Sequence, residues 1–137
     1  MTSREESAGF DSRSVIFRID YPPTKAGRSD WSKRYSLNAI YSGKHYRARM
    51  ADKTYWHNLV RANLKQPKMV EAPVSITFWW NDGLDLDNHA YMGKMIMDAL
   101  KGTLLKDDAR QHLTGVSHRF HDEPYILVEV AECTRRK

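Results

Sequence analysis

The hydrophobic period changes within a few residues between positions 73 and 101, and this change limits the possible folds more than any other feature. Residues 73–80 predict a strand, because Val74, Ile76, Phe78 and Trp80 alternate with Ser75, Thr77 and Trp79. Asn81-Asp82-Gly83 breaks that pattern, and from about residue 87 apolar side chains recur at helical spacing as far as Gly102. One face of this helix carries Met92, Met95, Ile96 and Ala99. The segment therefore predicts a strand followed by a helix that packs on the sheet.

The first half of the chain gives shorter signals. Residues 15–19 alternate as a strand does, and a pair of prolines follows. Residues 24–44 are rich in Gly, Ser, Lys and Arg and predict a long loop. Asp52 is a candidate N-cap for a helix over residues 53–65, although that helix could also begin near His45.

Two more strands are predicted near the end of the chain, at residues 113–120 and 125–131, with residues 121–124 as the turn of a hairpin. His118 and His121 fit polar positions of this hairpin better than a transition-metal site. The order of elements is strand, loop, helix, strand, helix, hairpin. It predicts an α/β domain of the α+β type, with a mixed sheet of about four strands and two main helices.

Length and composition fit one domain, placed at residues 14–132 of the 137. The hydrophobic fraction of 41% is enough for a core without disulfides. Residues 1–13 predict a disordered tail, and residues 133–137 a basic end. No apolar run approaches the ~20 residues of a membrane-spanning helix. Because the single Cys133 cannot form an internal disulfide, the cytoplasm is the expected compartment.

The chain is basic, with a formal net charge of +5, which favours nucleic acid as a partner. Eight lysines and arginines lie within residues 25–53 against only two aspartates, which predicts a surface that follows DNA phosphates. The predicted DNA-binding residues are Lys25, Arg28, Lys33, Arg34, Lys44, Arg47 and Arg49. The interleaved aromatic residues Trp31, Tyr35, Tyr41 and Tyr46 could stack on unpaired bases. Alternatively, Tyr41 and Tyr46 anchor the loop to the core.

The densest group of carboxylates in this basic chain lies around the second helix. Asp85 and Asp87 are one residue apart, and at about 100° per residue Lys94 and Asp98 fall within about 20° of Asp87. Carboxylates suit Mg²⁺, and Asp108 could complete a site if the loop after the helix folds back. Such a site would cleave phosphodiesters, with Lys94 offsetting charge. A purely structural explanation stays open, in which the helix dipole favours the acids and Lys94 forms a surface pair.

Three motifs follow one another along the chain: Asp85-Leu86-Asp87-Asn88, Lys94-x-x-x-Asp98-Ala99-Leu100 and Leu105-Lys106-Asp107-Asp108. Together with the earlier Tyr21-Pro22-Pro23, Asn38 and Tyr41, they resemble the RusA family of Holliday-junction resolvases over residues 15–132. The resemblance implies a Mg²⁺-dependent endonuclease, also supported by Mn²⁺, that needs no organic cofactor. It implies a homodimer that cuts four-way DNA junctions by paired symmetric nicks. By matching positions, Asp85, Asp87 and Asp108 are implied as metal ligands and Lys94 as the essential lysine.

One spacing departs from that family. In the family pattern the lysine follows the second aspartate by four residues, which is Tyr91 here, whereas Lys94 follows Asp87 by seven. About three residues are therefore inserted, so either the helix begins near Tyr91 or the lysine lies one turn further along it. The next stretch is about one residue shorter than the pattern, which leaves Asp107 as an alternative to Asp108. The alternative function is a catalytically impaired DNA-binding protein of the same fold.

Overall fold

The computed structural model describes residues 14–65, 68–107 and 111–133. The strands are β1 (Ser14–Asp20), β2 (Val74–Trp80), β3 (Leu113–Phe120) and β4 (Tyr125–Glu132). The helices are α1 (Lys25–Arg34), α2 (Leu37–Tyr41), α3 (Tyr46–Asn63) and α4 (Ala90–Leu100), and a 3₁₀ helix (Leu86–His89) precedes α4. A mixed four-stranded sheet with four helices confirms the predicted α+β class. The predicted tail at residues 1–13 and the last four residues lie outside the described residues.

β2 is the strand around which the sheet is organised. The strand order is β1-β4-β2-β3, with β4 antiparallel to β1 and β2, and β3 parallel to β2. Alternate side chains of β2 are buried and the intervening ones half-buried, as the predicted alternation requires. α4 lies between β2 and β3 in the chain and supplies the crossover that a parallel pair needs.

The predicted hairpin of the last two strands is wrong, because β2 lies between β3 and β4. After α4 the chain returns to the start of β2, and β3 pairs with β2 in parallel. β4 therefore pairs with the other edge of β2. Residues 121–124 connect β3 to β4 and pass the end of β2, where the His121 N–H donates to the Trp80 carbonyl at 3.1 Å. A turn signal predicts a short connection, but it does not say which strands pair.

One face of the sheet packs against α3 and α4 and forms the core. The four α4 residues predicted to face the sheet are all buried: Met92, Met95, Ile96 and Ala99. From α3, Trp56 and Val60 are fully buried. Burying an aliphatic side chain of this size is worth roughly 1.5–3 kcal/mol relative to an exposed one. These contacts hold α4, and the short segment before it, against the end of β2. None of the helices in the described ranges is both long and apolar enough to cross a membrane.

The predicted loop over residues 24–44 is instead occupied mainly by two helices. Thr24 and Ser36 are their N-caps, and each hydroxyl accepts the backbone N–H three residues further on, at 2.9 Å and 3.2 Å. Trp31 and Tyr35 pack against Trp56, with ring centroids 5.1 Å and 5.4 Å apart. The loop prediction is wrong because it relied on the Gly and Ser content of the segment. That content does not indicate the two N-caps or the aromatic side chains that pack on the core.

Both long helices begin at one of the two positions that the sequence left open. α3 begins after His45, whose Nδ1 caps it by accepting a backbone N–H at 3.0 Å. Asp52 lies inside α3 and is buried, so its assignment as the N-cap is wrong. α4 begins at Ala90, which is the later of the two predicted starts. It ends before Gly102, whose φ of 86° is in the left-handed region that favours glycine.

Candidate functional site

Asp85 and Asp87 lie on the short connection from β2 to α4, in what we call the acidic segment (residues 85–88). Asp85 occupies the N-cap position of the 3₁₀ helix, but its carboxylate makes no capping hydrogen bond. Both carboxylates are exposed. Among the described residues, neither carboxylate has a hydrogen-bond or ion-pair partner. Both are therefore accessible to a cation from solvent.

Asp82 anchors the turn that leads into the acidic segment, and its side chain is buried. Its Oδ1 accepts the Leu84 N–H at 3.1 Å, and its Oδ2 accepts the Tyr21 hydroxyl at 3.0 Å. Burial raises the pKa of Tyr21, and the charge of Asp82 raises it further, so the hydroxyl remains a donor. The same hydroxyl accepts the Asn81 N–H at 2.8 Å. Asp82 thus ties the end of β2 to the residue that follows β1.

His89 lies beneath the acidic segment and has no exposed surface. Its Nε2 is 2.8 Å from Asp82 Oδ1, and its Nδ1 is 3.2 Å from the Leu86 carbonyl oxygen. Both partners are acceptors, so the two contacts are satisfied together only when each ring nitrogen carries a proton. The ring also stacks on Trp80, with centroids 4.3 Å apart. Asp82 and His89 therefore form a buried ion pair at the base of the acidic segment.

His118 of β3 lies beside this pair in its neutral form. Its Nδ1 accepts the Trp80 indole N–H at 3.0 Å, which requires an unprotonated nitrogen. Burial lowers the pKa of His118, and the charge of His89 lowers it further. His121 contacts the Tyr125 carbonyl at 2.7 Å instead. Both histidines thus have structural partners within the fold.

α2 packs beside the acidic segment and connects it to the basic helices. The Asn38 backbone N–H donates to Asn88 Oδ1 at 2.9 Å. Tyr41, one turn further along α2, is 78% exposed. In the chain, α2 lies between α1 and α3, so the acidic segment is bonded to the helix that connects the two basic helices.

Most of the predicted DNA-binding residues are on the surface. The exposed ones are Lys25, Lys33, Arg34, Arg47 and Arg49, on α1 and α3. Arg28 is half-buried, with its guanidinium 5.9 Å from the Tyr21 ring centroid. Tyr46 is 61% exposed and lies beside Arg49. The alternative in which Tyr41 and Tyr46 anchor this region to the core is therefore wrong, and Trp31 and Tyr35 have that role.

Lys44 points into the fold, which corrects its assignment to the DNA-binding surface. Its ammonium pairs with Asp52, whose side chain is 8% exposed, and donates to the Arg34 carbonyl at 2.6 Å. The Tyr91 hydroxyl donates to the same carboxylate at 2.9 Å. Burial raises the pKa of Tyr91, and the hydrogen bond to Asp52 raises it further. Lys44 is thus held inside because a buried carboxylate needs a cation.

Lys94 projects from the exposed face of α4. Its ammonium is 3.5 Å from Asp98 Oδ1, and the Lys101 ammonium is 3.4 Å from the same oxygen. These contacts confirm the prediction that Lys94 and Asp98 share one face of the helix. Asp87 precedes the helix, and within the described ranges no ion pair joins it to Lys94. Lys94 therefore pairs with Asp98, as the purely structural explanation of this lysine predicts.

The third predicted metal ligand, Asp108, lies outside the described residues. On one side of it, the Leu105 N–H donates to the last carbonyl of α4 at 3.0 Å. On the other side, the His112 carbonyl accepts the Val74 N–H at 2.9 Å, at the start of β2. Asp107 is exposed in the same connection. The acidic segment follows the other end of β2, at Trp80. β2 has seven residues and is therefore roughly 23 Å long. In the described part of the chain, no group of three or more acidic, histidine or cysteine side chains could hold a metal ion.

The chemistry available at this end of the sheet is oxygen coordination beside a cationic surface. Two exposed carboxylates on one short segment can hold a divalent cation together with water and phosphate oxygens. The exposed lysines and arginines of α1 and α3 can bind the phosphates of a nucleic-acid backbone. No protein-family model matches the chain, and no curated protein matches it in sequence.

Proposed function

We propose that the protein is a metal-dependent endonuclease whose substrate is four-way DNA junctions. One observation carries the proposal: Asp85 and Asp87 are exposed, have no partner among the described residues, and lie on a segment bonded to the helix between two basic helices. The basic surface attracts phosphates, whereas the two carboxylates repel them unless a cation lies between. The motif order that resembles the RusA family also supports the proposal.

Asp85 and Asp87 would hold Mg²⁺, or Mn²⁺ in its place, because these cations prefer carboxylate oxygens. When bound, the ion would polarise the scissile phosphate and supply hydroxide from bound water. In this proposal Asp108 would be the third ligand if the connection after α4 folds back to the acidic segment. Lys94 would leave Asp98 to offset charge on the phosphate or on the leaving oxygen. Hydrolysis would leave a 5′-phosphate and a 3′-hydroxyl.

We also propose a homodimer, because a four-way junction needs two symmetric cuts and one metal centre cuts one strand. Exposed cations on α1 and α3 would contact the junction arms through their phosphates. The single Cys133 fits a reducing compartment, so we place the protein in the cytoplasm.

A cleavage assay tests the proposal directly. The protein is incubated with Mg²⁺ and a synthetic four-way junction, and the products are separated on a denaturing gel. We expect paired nicks from the wild type and none from Asp85→Asn. Glu71→Gln is the matched control, because it removes an exposed carboxylate near the start of β2, at the other end of the sheet. Wild-type protein without nicks, or Asp85→Asn with normal nicking, would rule the nuclease out.

A DNA-binding protein without catalysis is the second candidate, and the partner of Lys94 favours it. Both candidates predict junction binding, but only the nuclease predicts products. In the nuclease, Lys94→Ala should reduce cleavage more than binding. Arg47→Ala is the control, because loss of a phosphate contact should reduce binding first. Equal losses of binding and cleavage in Lys94→Ala would make Lys94 a phosphate contact only.

A further inference from the structure

The buried ion pair of Asp82 and His89 lies directly under the acidic segment and contacts its backbone. Replacing a buried ion pair by apolar residues of similar volume is often neutral or stabilising, so stability alone does not account for such a pair. Here every polar atom of the pair has a partner. Asp82 accepts from Leu84 and Tyr21, and His89 contacts both Asp82 and a carbonyl of the acidic segment.

That carbonyl belongs to Leu86, the residue between the two exposed aspartates. Its oxygen is part of the peptide group that joins Leu86 to Asp87, and the plane of this group orients the backbone from which the Asp87 side chain leaves. Holding the oxygen at 3.2 Å from His89 Nδ1 therefore limits the rotation of the residue that carries one carboxylate. The other ring nitrogen is held by Asp82, so the imidazole itself cannot turn away.

His89 lies between Asp87 and Lys94, and this interval is about three residues longer here than in the family that the chain resembles. Between Asp87 and Lys94, His89 contacts one buried carboxylate, Asp82, and Tyr91 contacts another, Asp52. The longer connection is thus fixed at two points to the body of the protein.

We infer that His89 is a positioning residue of the proposed metal site, which fixes Asp87 by donating from Nδ1 to the Leu86 carbonyl while Asp82 holds the ring. The inference rests on the proposed function, since it concerns the same two carboxylates. Residues that orient metal ligands from behind typically change metal affinity by about tenfold to a hundredfold when they are replaced.

Two substitutions of His89 separate its two hydrogen bonds. The amide nitrogen of asparagine overlaps the position of Nδ1, so His89→Asn keeps the donor to Leu86 and loses the donor to Asp82. The amide nitrogen of glutamine overlaps the position of Nε2, so His89→Gln keeps the donor to Asp82 and releases Leu86. Both variants remove the imidazolium charge equally.

The readout is the dissociation constant of Mn²⁺, measured by electron paramagnetic resonance on the full chain without DNA and well below the unfolding temperature. His89→Gln should weaken Mn²⁺ binding by about tenfold or more, whereas His89→Asn should stay within about threefold of the wild type. The thermal unfolding temperature should show the reverse order, because His89→Asn removes one of the three donors of the buried Asp82. Val130→Ala, which empties part of the core at a buried position of β4, is the control for general destabilisation and should leave Mn²⁺ binding unchanged.

The outcomes distinguish this inference from the proposed function. If the wild type has no Mn²⁺ site that Asp87→Asn removes, both are overturned. If that site exists and His89→Gln binds Mn²⁺ as the wild type does, only the positioning role is overturned. Equal weakening in His89→Gln and His89→Asn would also overturn it. Should His89→Asn fail to fold, the comparison of His89→Gln with the wild type and Val130→Ala still decides.

Discussion

At the scale of single residues, Asp52 shows why a lysine from the basic segment lies inside the fold. Asp52 is buried in the middle of α3, and Lys44 and Tyr91 are its two partners. A buried carboxylate that loses its cation costs about 3–5 kcal/mol, whereas the loss of one hydrogen bond to a charged group costs about 1.5–3 kcal/mol. The two partners should therefore contribute unequally to stability.

Substitution of each partner tests this ranking. Lys44→Met should lower the free energy of unfolding by about 3–5 kcal/mol and Tyr91→Phe by about 1.5–3 kcal/mol. Tyr46→Phe removes a hydroxyl from an exposed ring and should change it by less than about 0.5 kcal/mol. Urea unfolding of the three variants supplies the values. A loss in Lys44→Met no larger than that in Tyr91→Phe would show that Asp52 does not depend on the ammonium.

His118 makes the stability depend on pH. Burial lowers its pKa in the folded protein, so the unfolded chain takes up the proton at a higher pH than the folded one. The contribution of His118 to stability is therefore complete above the unfolded value of about 6.5 and is lost as the pH falls below it. His118→Asn cannot titrate and should lose less stability than the wild type between about pH 7 and about pH 5. Parallel pH profiles of the two proteins would contradict the assignment to His118.

The pair of Asp82 and His89 could not be predicted from the sequence. The turn signal at residues 81–83 predicts where the chain reverses, but it does not indicate which side chain turns inward. Aspartate is rarely found buried, and no hydrophobic period connects it to a histidine seven residues later. Asp85 and Asp87 were predictable as exposed acids because they follow the end of a clear strand.

At the scale of elements, the sequence predicts well where one period extends over several turns. β2 and α4 agree with their predictions because seven or more residues repeat the same pattern. α1 was missed because it is polar, and α2 because it has only five residues. The packing of Trp31 and Tyr35 rather than periodicity holds this region in place. The hairpin of β3 and β4 was predicted wrongly because the crossover through α4 places β3 beside β2, and local sequence does not contain that information.

The basic helices should bind DNA through phosphates in a salt-dependent way. Each phosphate contact contributes about 0.9 to the slope of the logarithm of affinity against the logarithm of salt concentration. Arg47→Ala and Arg49→Ala should each reduce that slope by about one, whereas Lys68→Ala, an exposed cation near the start of β2, should not. Fluorescence anisotropy with a labelled four-way junction at several salt concentrations measures the slopes. If the Lys68 variant reduces the slope as much as the two arginine variants do, the binding surface is not confined to α1 and α3.

At the scale of the whole molecule, the two ends of the sheet differ. The end where β2 and β3 finish carries the acidic segment, with α2 bonded to it and the basic helices on either side in the chain. The end where β2 and β3 begin receives the connection that contains Asp107. The proposed substrate would therefore meet the first end, and the net charge of +5 would attract it to the molecule as a whole.

The proposed role of this end depends on a cation between its carboxylates and the DNA. The most direct test is to measure junction cleavage in Mg²⁺ and junction binding without divalent ions for the same variant, Asp87→Asn. We predict that cleavage is lost while binding stays equal or becomes tighter, because a negative charge near the phosphates is removed. Weaker binding by Asp87→Asn, or cleavage at the wild-type rate, would contradict the proposed metal site.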